Sequence, residues 1–178
     1  MTQRRELAVV TGASSGIGFE LARQLAERGF DLIVNSADEE RLHAAAEEIR
    51  RRTGTSVQPV RADLRRYEEA ERLVGAVTAT GRPVAVAALN AGVGEGGAFL
   101  DTDFFRRADM GDTKVGRGRK DDPAQVAAQG LDALFAGKDK VVAGSLKTRA
   151  QGLADKVLPD SFKAEAHRRM AEPGSADR

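Results

Sequence analysis

Residues 7–18 read Leu-Ala-Val-Val-Thr-Gly-Ala-Ser-Ser-Gly-Ile-Gly, and the reading of the whole chain starts there. An apolar run at 7–10 leads into Thr11-Gly12, and glycines return at Gly16 and Gly18 before a helical pattern begins. Strand, glycine turn and helix in that order form the first half of a dinucleotide-binding βαβ unit. Gly12 lets the chain turn tightly off the strand. Gly16 takes a Cβ out of the path of a pyrophosphate, and Gly18 lets the helix lie close to the sheet. The helix that opens near Gly16 then aims its free N–H groups and its positive dipole end at the phosphates. The spacing is G-x-x-x-G-x-G rather than the commoner G-x-G-x-x-G. A glycine turn can be plain loop chemistry, but a strand before it and a helix after it favour the cofactor reading.

Outward from this stretch, strands and helices alternate. Over 16–28, Ile17, Leu21, Ala22 and Leu25 recur at helical spacing, with Gly29 where a terminating glycine belongs. Residues 31–36 read as a second buried strand. Asp38 is placed to cap a helix that carries Leu42, Ala45, Ala46 and Ile49 on one face and closes at Gly54. Residues 56–63 read as a third strand. A third helix over 66–80 would turn Tyr67, Ala70, Leu73, Val74 and Val77 inward. A fourth strand at 83–89 leads into Asn90-Ala91-Gly92. This alternation implies an α/β fold, a three-layer Rossmann-like parallel sheet with right-handed crossovers and order 3-2-1-4 through this half.

Residues 93–120 differ in kind: glycine-rich and charged, they read as a junction or lid-like loop. Order returns at Asp122, a helix cap followed by Pro123 in the first turn and Gln125 at a capping-box position, with Val126, Leu131, Leu134 and Phe135 apolar and Gly137 as the stop. Residues 140–144 read as a last short strand, and two short helical pieces flank Pro159. The expected organisation is a dinucleotide-binding half over 1–92, the junction over 93–120, and a helix-strand-helix remnant of the same domain over 121–178.

Composition narrows the partners. The 178 residues carry 28 Lys plus Arg against 27 Asp plus Glu, so the net charge of +1 speaks against a polyanionic partner such as nucleic acid. The basic residues Arg106, Arg107, Lys114, Arg117, Arg119 and Lys120 are interleaved with acids and lack an aromatic platform, and they read as a solvated loop or the remnant of a lid. The absence of cysteine fits a reducing cytoplasm. No apolar run has the length of a membrane span or of a signal segment, so a cytoplasmic protein without a membrane partner is expected. His43 and His167 stand alone in charged helical segments and make no metal constellation.

The loop Thr11-Gly12-Ala13-Ser14-Ser15-Gly16-Ile17-Gly18 resembles the cofactor loop of the short-chain dehydrogenase/reductase family. Asp63-Leu64 and Leu89-Asn90-Ala91-Gly92 resemble two further motifs of that family, in the right order. The resemblance implies an oxidoreductase with NADP or NAD as its dinucleotide partner, held by Gly12, Ser14, Ser15, Gly16, Ile17 and Gly18. It gives the Asp63 side chain and the Leu64 backbone to the adenine. Asn90, Ala91 and Gly92 would line the ribose and brace the strand beside Thr11. The end of the second strand decides between the cofactors, an acid for the ribose 2′-OH or an arginine for a 2′-phosphate. Those positions fall at Ser36 and Ala37, which supply neither, and without the acid the balance leans weakly to NADP despite Asp38 nearby.

The family's chemistry needs a serine after a fifth strand and a Tyr-x-x-x-Lys pair, in which the lysine lowers the pKa of the proton-donating phenol. This chain has one tyrosine, Tyr67, and the residue four further on is Glu71. Tyr67 therefore reads as core, and no catalytic residue is assigned. Residues 93–103 resemble the family's segment after the Asn-Ala-Gly motif, while 101–142 resemble its C-terminal part, and the two meet at Asp101-Thr102-Asp103. An internal deletion of two strand-helix units, on the order of 60 residues, accounts for this. It would remove the catalytic segment and the helices through which family members usually dimerise. The economical repair adds residues 140–144 beside the fourth strand, giving order 3-2-1-4-7; otherwise that strand keeps an open apolar edge. The alternative readings are a non-enzymatic nucleotide-binding regulator or interaction module, and a deletion product without function.

Overall fold

Apolar runs of five or six residues, each followed by a helix with one apolar stripe, can bury themselves only by stacking in layers. The computed structural model describes residues 5–92 and 121–145, and the chain divides into two compact units, Met1–Gly92 and Val93–Arg178. The first unit runs β1 (Leu7–Thr11), α1 (Gly16–Glu27), β2 (Asp31–Ser36), α2 (Glu39–Thr53), β3 (Val57–Arg61), α3 (Tyr67–Thr78) and β4 (Val84–Ala88). Its sheet is wholly parallel, in the order β3-β2-β1-β4.

The two central strands are buried on both faces, as continuous apolar runs require. Leu7, Val9, Ile33 and Val60 cluster with Leu73 of α3, so α3 lies on that face of the sheet. Strand side chains alternate, so Ala8, Val10, Leu32 and Val34 point to the opposite face, where α1 and α2 pack together. Helix α2 shows how local sequence sets its ends. Asp38 Oδ1 accepts the Arg41 N–H at 3.1 Å, Glu39 and Glu40 occupy the first turn, and Gly54 closes the helix in the left-handed region at φ 65°. The β1–β2 register pairs Leu7 with Asp31 and Thr11 with Asn35, so the strands finish level and form a common crest.

Two expectations need correction here. Tyr67 is not core: it is 74% exposed, and Val74 on the same stripe is 53% exposed. Of the expected face Leu73 and Val77 do pack on the core, but Glu69 and Ala76 join them in place of Tyr67 and Val74. The cause is polar. Glu69 is drawn inward by the Asp63 N–H and by Arg61, each at 2.7 Å, and positions two apart on a helix face roughly 200° away from one another. Burying Glu69 therefore turns Tyr67 to solvent.

The second correction concerns order 3-2-1-4-7. Residues 140–144 form no strand, and the sheet of the described residues has four strands, with β4 at its edge. The Gly144 N–H is taken by Gln129 Oε1 at 2.7 Å, and Gly144 sits at φ 125°, outside the extended conformation of a ladder residue. In the second unit, α4 (Pro123–Phe135) starts as its sequence asks: Asp122 Oδ1 accepts the Ala124 N–H at 2.9 Å and Pro123 takes the first turn. Its buried positions are Ala127, Leu131 and Ala133, whereas Leu134 and Phe135 are half exposed. The glycine-rich junction at 93–120 and the pieces beyond 145 lie outside the described residues. No helix among the described residues is long and apolar enough to cross a membrane.

Candidate functional site

In a parallel sheet whose order reverses beside β1, the crevice beyond the carboxyl ends of the strands is the natural ligand site. Nearly all the sequence-derived site residues reach that crest. After β1 the chain turns at Gly12, φ 68°, and again at Gly16, φ 60°. A side chain is strained in that region, so both turns depend on glycine.

The turn is bolted to its neighbours. The Ala13 N–H bonds the Asn35 carbonyl at 2.9 Å, joining the loop to β2. The Ser36 hydroxyl donates to Ser14 Oγ at 2.9 Å and accepts the Asp38 N–H at 3.2 Å. Asn35 Nδ2 donates to the carbonyls of Val60 and Ala62 at 3.0 Å each, tying β2 to the end of β3; its Oδ1 is buried and has no hydrogen-bond partner among the described residues. On the other side, Thr11 Oγ1 accepts the N–H groups of Asn90 and Ala91 at 3.0 Å each, and Asn90 Nδ2 donates to the Thr11 carbonyl at 3.3 Å. One belt of hydrogen bonds thus holds the ends of all four strands of the sheet in register.

Gly18 sets how closely α1 approaches the turn. A Cβ there would fall 2.1 Å from the Gly12 carbonyl oxygen and 2.6 Å from Asn90 Nδ2. At Gly12 a Cβ would meet Ala91 Cα and Asn90 Nδ2 at 3.0 Å. The N-terminus of α1 also differs from that of α2. Ser15, the N-cap, makes no side-chain cap hydrogen bond, and the first turn carries no acid. Its dipole end is left for an anion, whereas Asp38, Glu39 and Glu40 occupy that of α2. A tight glycine turn under such a helix end fits a pyrophosphate, with Ser14, Ser15, Gly16 and Ile17 as the residues that would meet it.

Asp63 stands after β3, and Arg65 grips both its carboxylate oxygens, with contacts of 2.7 to 3.2 Å. Those bonds from Arg65 hold the Asp63 carboxyl at about 2, below its ordinary value. Glu69 is also held low, first by the hydrogen bond from the Asp63 N–H and then by Arg61. Leu64 packs its side chain against the Leu73 cluster, which leaves its backbone for the role the resemblance gives it. Ala91 and Gly92 are exposed at the crest and Asn90 is half-buried.

Three participants were missed from the sequence. The Thr11 hydroxyl organises the Asn90-Ala91 turn, and a threonine closing an apolar strand was the available signal. Glu69 anchors the Asp63 turn; its place three residues after the N-cap Arg66 is a capping-box position, although its carboxylate accepts the Asp63 N–H rather than the Arg66 N–H and meets Arg66 only as an ion pair at 3.9 Å. Arg41 lines a cavity together with Ser14 and Ser15, one turn into α2. Tyr67, exposed on α3, takes no part in the belt.

The family model for short chain dehydrogenases matches residues 6–114. A relative from Streptomyces coelicolor with a ketoacyl reductase name is 42% identical over 100 residues, covering 56% of this chain and 38% of the relative. The very-long-chain 3-oxoacyl-CoA reductase of Kluyveromyces lactis is 40% identical over 85 residues, 48% of this chain and 25% of that protein. Among solved structures, the L-sorbose reductase of Gluconobacter frateurii complexed with NADPH and L-sorbose superposes with a TM-score of 0.50 at 29% identity, over 55% of this chain and 37% of that one. The chain thus matches less than two fifths of the length of each of these proteins. With a family model covering more than half of its residues and the parallel order β3-β2-β1-β4 beneath the glycine turn, the chain belongs to the short-chain dehydrogenase family.

Proposed function

We propose that this chain is a dinucleotide-binding member of its family that holds NADP or NAD without carrying out hydride transfer itself. The observation that carries the reading is the crest: a glycine turn under an α1 N-terminus without acids, locked to β2 and β4 by Ser14, Asn35, Thr11 and Asn90. Gly12 to Gly18 would cradle the pyrophosphate, Ser36 would lie at the adenosine ribose, Asp63 and Leu64 at the adenine, and Asn90 to Gly92 along the inner face. The L-sorbose reductase, complexed with NADPH, supports the choice of ligand by similarity.

A bound nicotinamide supplies a hydride acceptor or donor, but turnover also needs a group that passes a proton to or from the substrate oxygen. The sequence has a single tyrosine, Tyr67, with Glu71 rather than a lysine four residues on, so the proton-transfer pair of the family is missing from it. An internal deletion remains our account of that gap, and β4 at the sheet edge is consistent with it.

The test is a titration of the full chain with NADPH and with NADH, followed by nicotinamide fluorescence, beside Gly16→Arg. The expected result is saturable binding that the variant loses, with no consumption of NADPH against a panel of ketones. A folded protein that binds neither cofactor, or one that reduces a ketone, would overturn the reading.

A further inference from the structure

The carboxylate that the dinucleotide reading sets at the adenine is already filled by the chain itself. Asp63 Oδ1 accepts the Arg65 backbone N–H at 3.2 Å and Arg65 Nε at 2.9 Å. Oδ2 accepts the same Nε at 3.2 Å and Nη2 at 2.7 Å. A carboxylate has about four lone-pair directions, two on each oxygen, so these contacts saturate it. We propose that Arg65 is a latch at the adenine position: its guanidinium must release Asp63 before the 6-amino group of an adenine can bond there, and the side chain thereby holds the affinity for the cofactor down. This rests on the dinucleotide reading and adds to it a residue that opposes the ligand it faces.

The turn does not depend on this grip for its shape. Glu69 takes the Asp63 N–H at 2.7 Å, and the Asp63 carbonyl accepts the Arg66 N–H at 3.0 Å, so the backbone is held without the Arg65 guanidinium. The side chain of Arg65 is 70% exposed and that of Asp63 only 16%, so the arginine covers the carboxylate while itself lying open to water. Its forked geometry makes the closed pair the resting state, and its exposure keeps the pair weak enough to exchange. Glu69, the other carboxylate of this turn, is taken up by the Asp63 N–H, by Arg61 at 2.7 Å and by Arg66 at 3.9 Å, which leaves Arg65 to Asp63. The chemistry of the base then tells the open state from the closed one. A freed carboxylate accepts from an amino group but repels a 6-oxo group, which is itself an acceptor.

NADH and its hypoxanthine analogue, identical but for a 6-oxo group in place of the amino group, are titrated into the wild type, Arg65→Ala and Arg65→Lys, with circular dichroism as the check on folding. Arg65→Ala should tighten NADH by about two- to fivefold, the worth of an exposed ion pair, and should bind the hypoxanthine analogue no tighter than the wild type does. Arg65→Lys, which offers a point contact instead of a fork, should fall between the two. In the ligand-free protein the Asp63 carboxyl, held at about 2 by the bonds from Arg65, should rise toward the ordinary carboxylate range in Arg65→Ala when followed by carbon NMR. NADH binding that Arg65→Ala leaves unchanged or weakens, an equal gain for both dinucleotides, or an Asp63 carboxyl that does not rise overturns the latch while the dinucleotide reading stands. A folded protein that binds neither dinucleotide in any of the three forms overturns that reading, and the latch with it.

Discussion

Gly18 and Gly75 allow the same substitution, glycine to alanine within a helix, to be set against itself. At Gly18 the new methyl would lie 2.1 Å from the Gly12 oxygen, 2.7 Å from the Gly12 carbonyl carbon and 2.6 Å from Asn90 Nδ2. Relaxed carbon contacts need about 3.5 Å, so α1 or the turn must retreat by roughly 1.4 Å. Neither neighbour can do so freely. Gly12 is fixed at φ 68° and Asn90 is bonded through its N–H and its side chain to Thr11. Overpacking typically costs about 1–3 kcal/mol, and an obstacle made of backbone places Gly18→Ala near about 3 kcal/mol. In a unit the size of Met1–Gly92, each kcal/mol moves Tm by roughly 4–8 °C, so Tm should fall by roughly 12–24 °C. Gly75 lies inside α3 with nothing within 4 Å of its would-be Cβ. Alanine there should stabilise by up to about 1 kcal/mol through helix propensity and raise Tm by several degrees. Thermal melts of the two variants and the wild type, followed by circular dichroism, decide the matter. If Gly18→Ala melts with the wild type, or Gly75→Ala falls as far as Gly18→Ala, the close approach of α1 to the turn is not what fixes glycine at that position.

Two other predictions concern the belt. Thr11→Val keeps the shape of the side chain but takes away the acceptor of two backbone N–H groups; because that turn is partly open to water, the loss should be about 1 kcal/mol, at the low end of the usual range. Hydrogen exchange at Asn90 and Ala91 should accelerate by about fivefold, and unchanged exchange would mean that Thr11 does not hold this turn. Asp63 and Glu69 both titrate lower in the folded state than when unfolded, so the native protein binds fewer protons; their contribution is full above about pH 4.5, the unfolded value of Glu69, and is lost as the pH falls through the folded values, about 2 for Asp63. Tm should therefore drop with acid over that window, and Glu69→Gln should flatten the slope. An equally steep slope in the variant would remove Glu69 from the account.

How legible each part was depended on whether its physics is local. The strands and the capped helices could be read because apolar runs and the Asp38–Gly54 frame act within a few residues. The rotation of α3 could not. Periodicity offered Tyr67, Ala70, Leu73, Val74 and Val77 as a face, of which Leu73 is buried, and nothing local showed that Glu69 would turn inward to meet the Asp63 backbone and an arginine on β3. Residues 140–144 have the composition of a strand, but a strand exists only with a ladder to join, and the Gly144 N–H goes to Gln129 instead. At the site, the glycine loop was legible because each glycine answers to a backbone demand.

The two faces of the sheet are covered unequally, and this bears on what such a chain can do. On the face of α1 and α2, Val86 of β4 aligns with Ala8 and is only 8% exposed. On the face of α3, Val84 aligns with Leu7 and is 37% exposed, while Ala87, beside Val9, is exposed as well. The uncovered stripe of Tyr67 and Val74, two turns apart on α3, lies on that same side. No residue of this stripe enters the crest. The belt of Thr11, Ser14, Asn35, Ser36 and Asn90 is closed by residues at the carboxyl ends of the strands and in the turns that leave them, and its supports, Glu69 and Leu64, come from the buried side of α3 and the turn before it. The hydrogen-bonded crest is therefore complete with the four strands of the described residues, β4 standing at the edge of their sheet. Binding and reaction make separate demands on this fold: the proposed binding role draws on the crest, whereas the sequence contains no Tyr-x-x-x-Lys pair for the second.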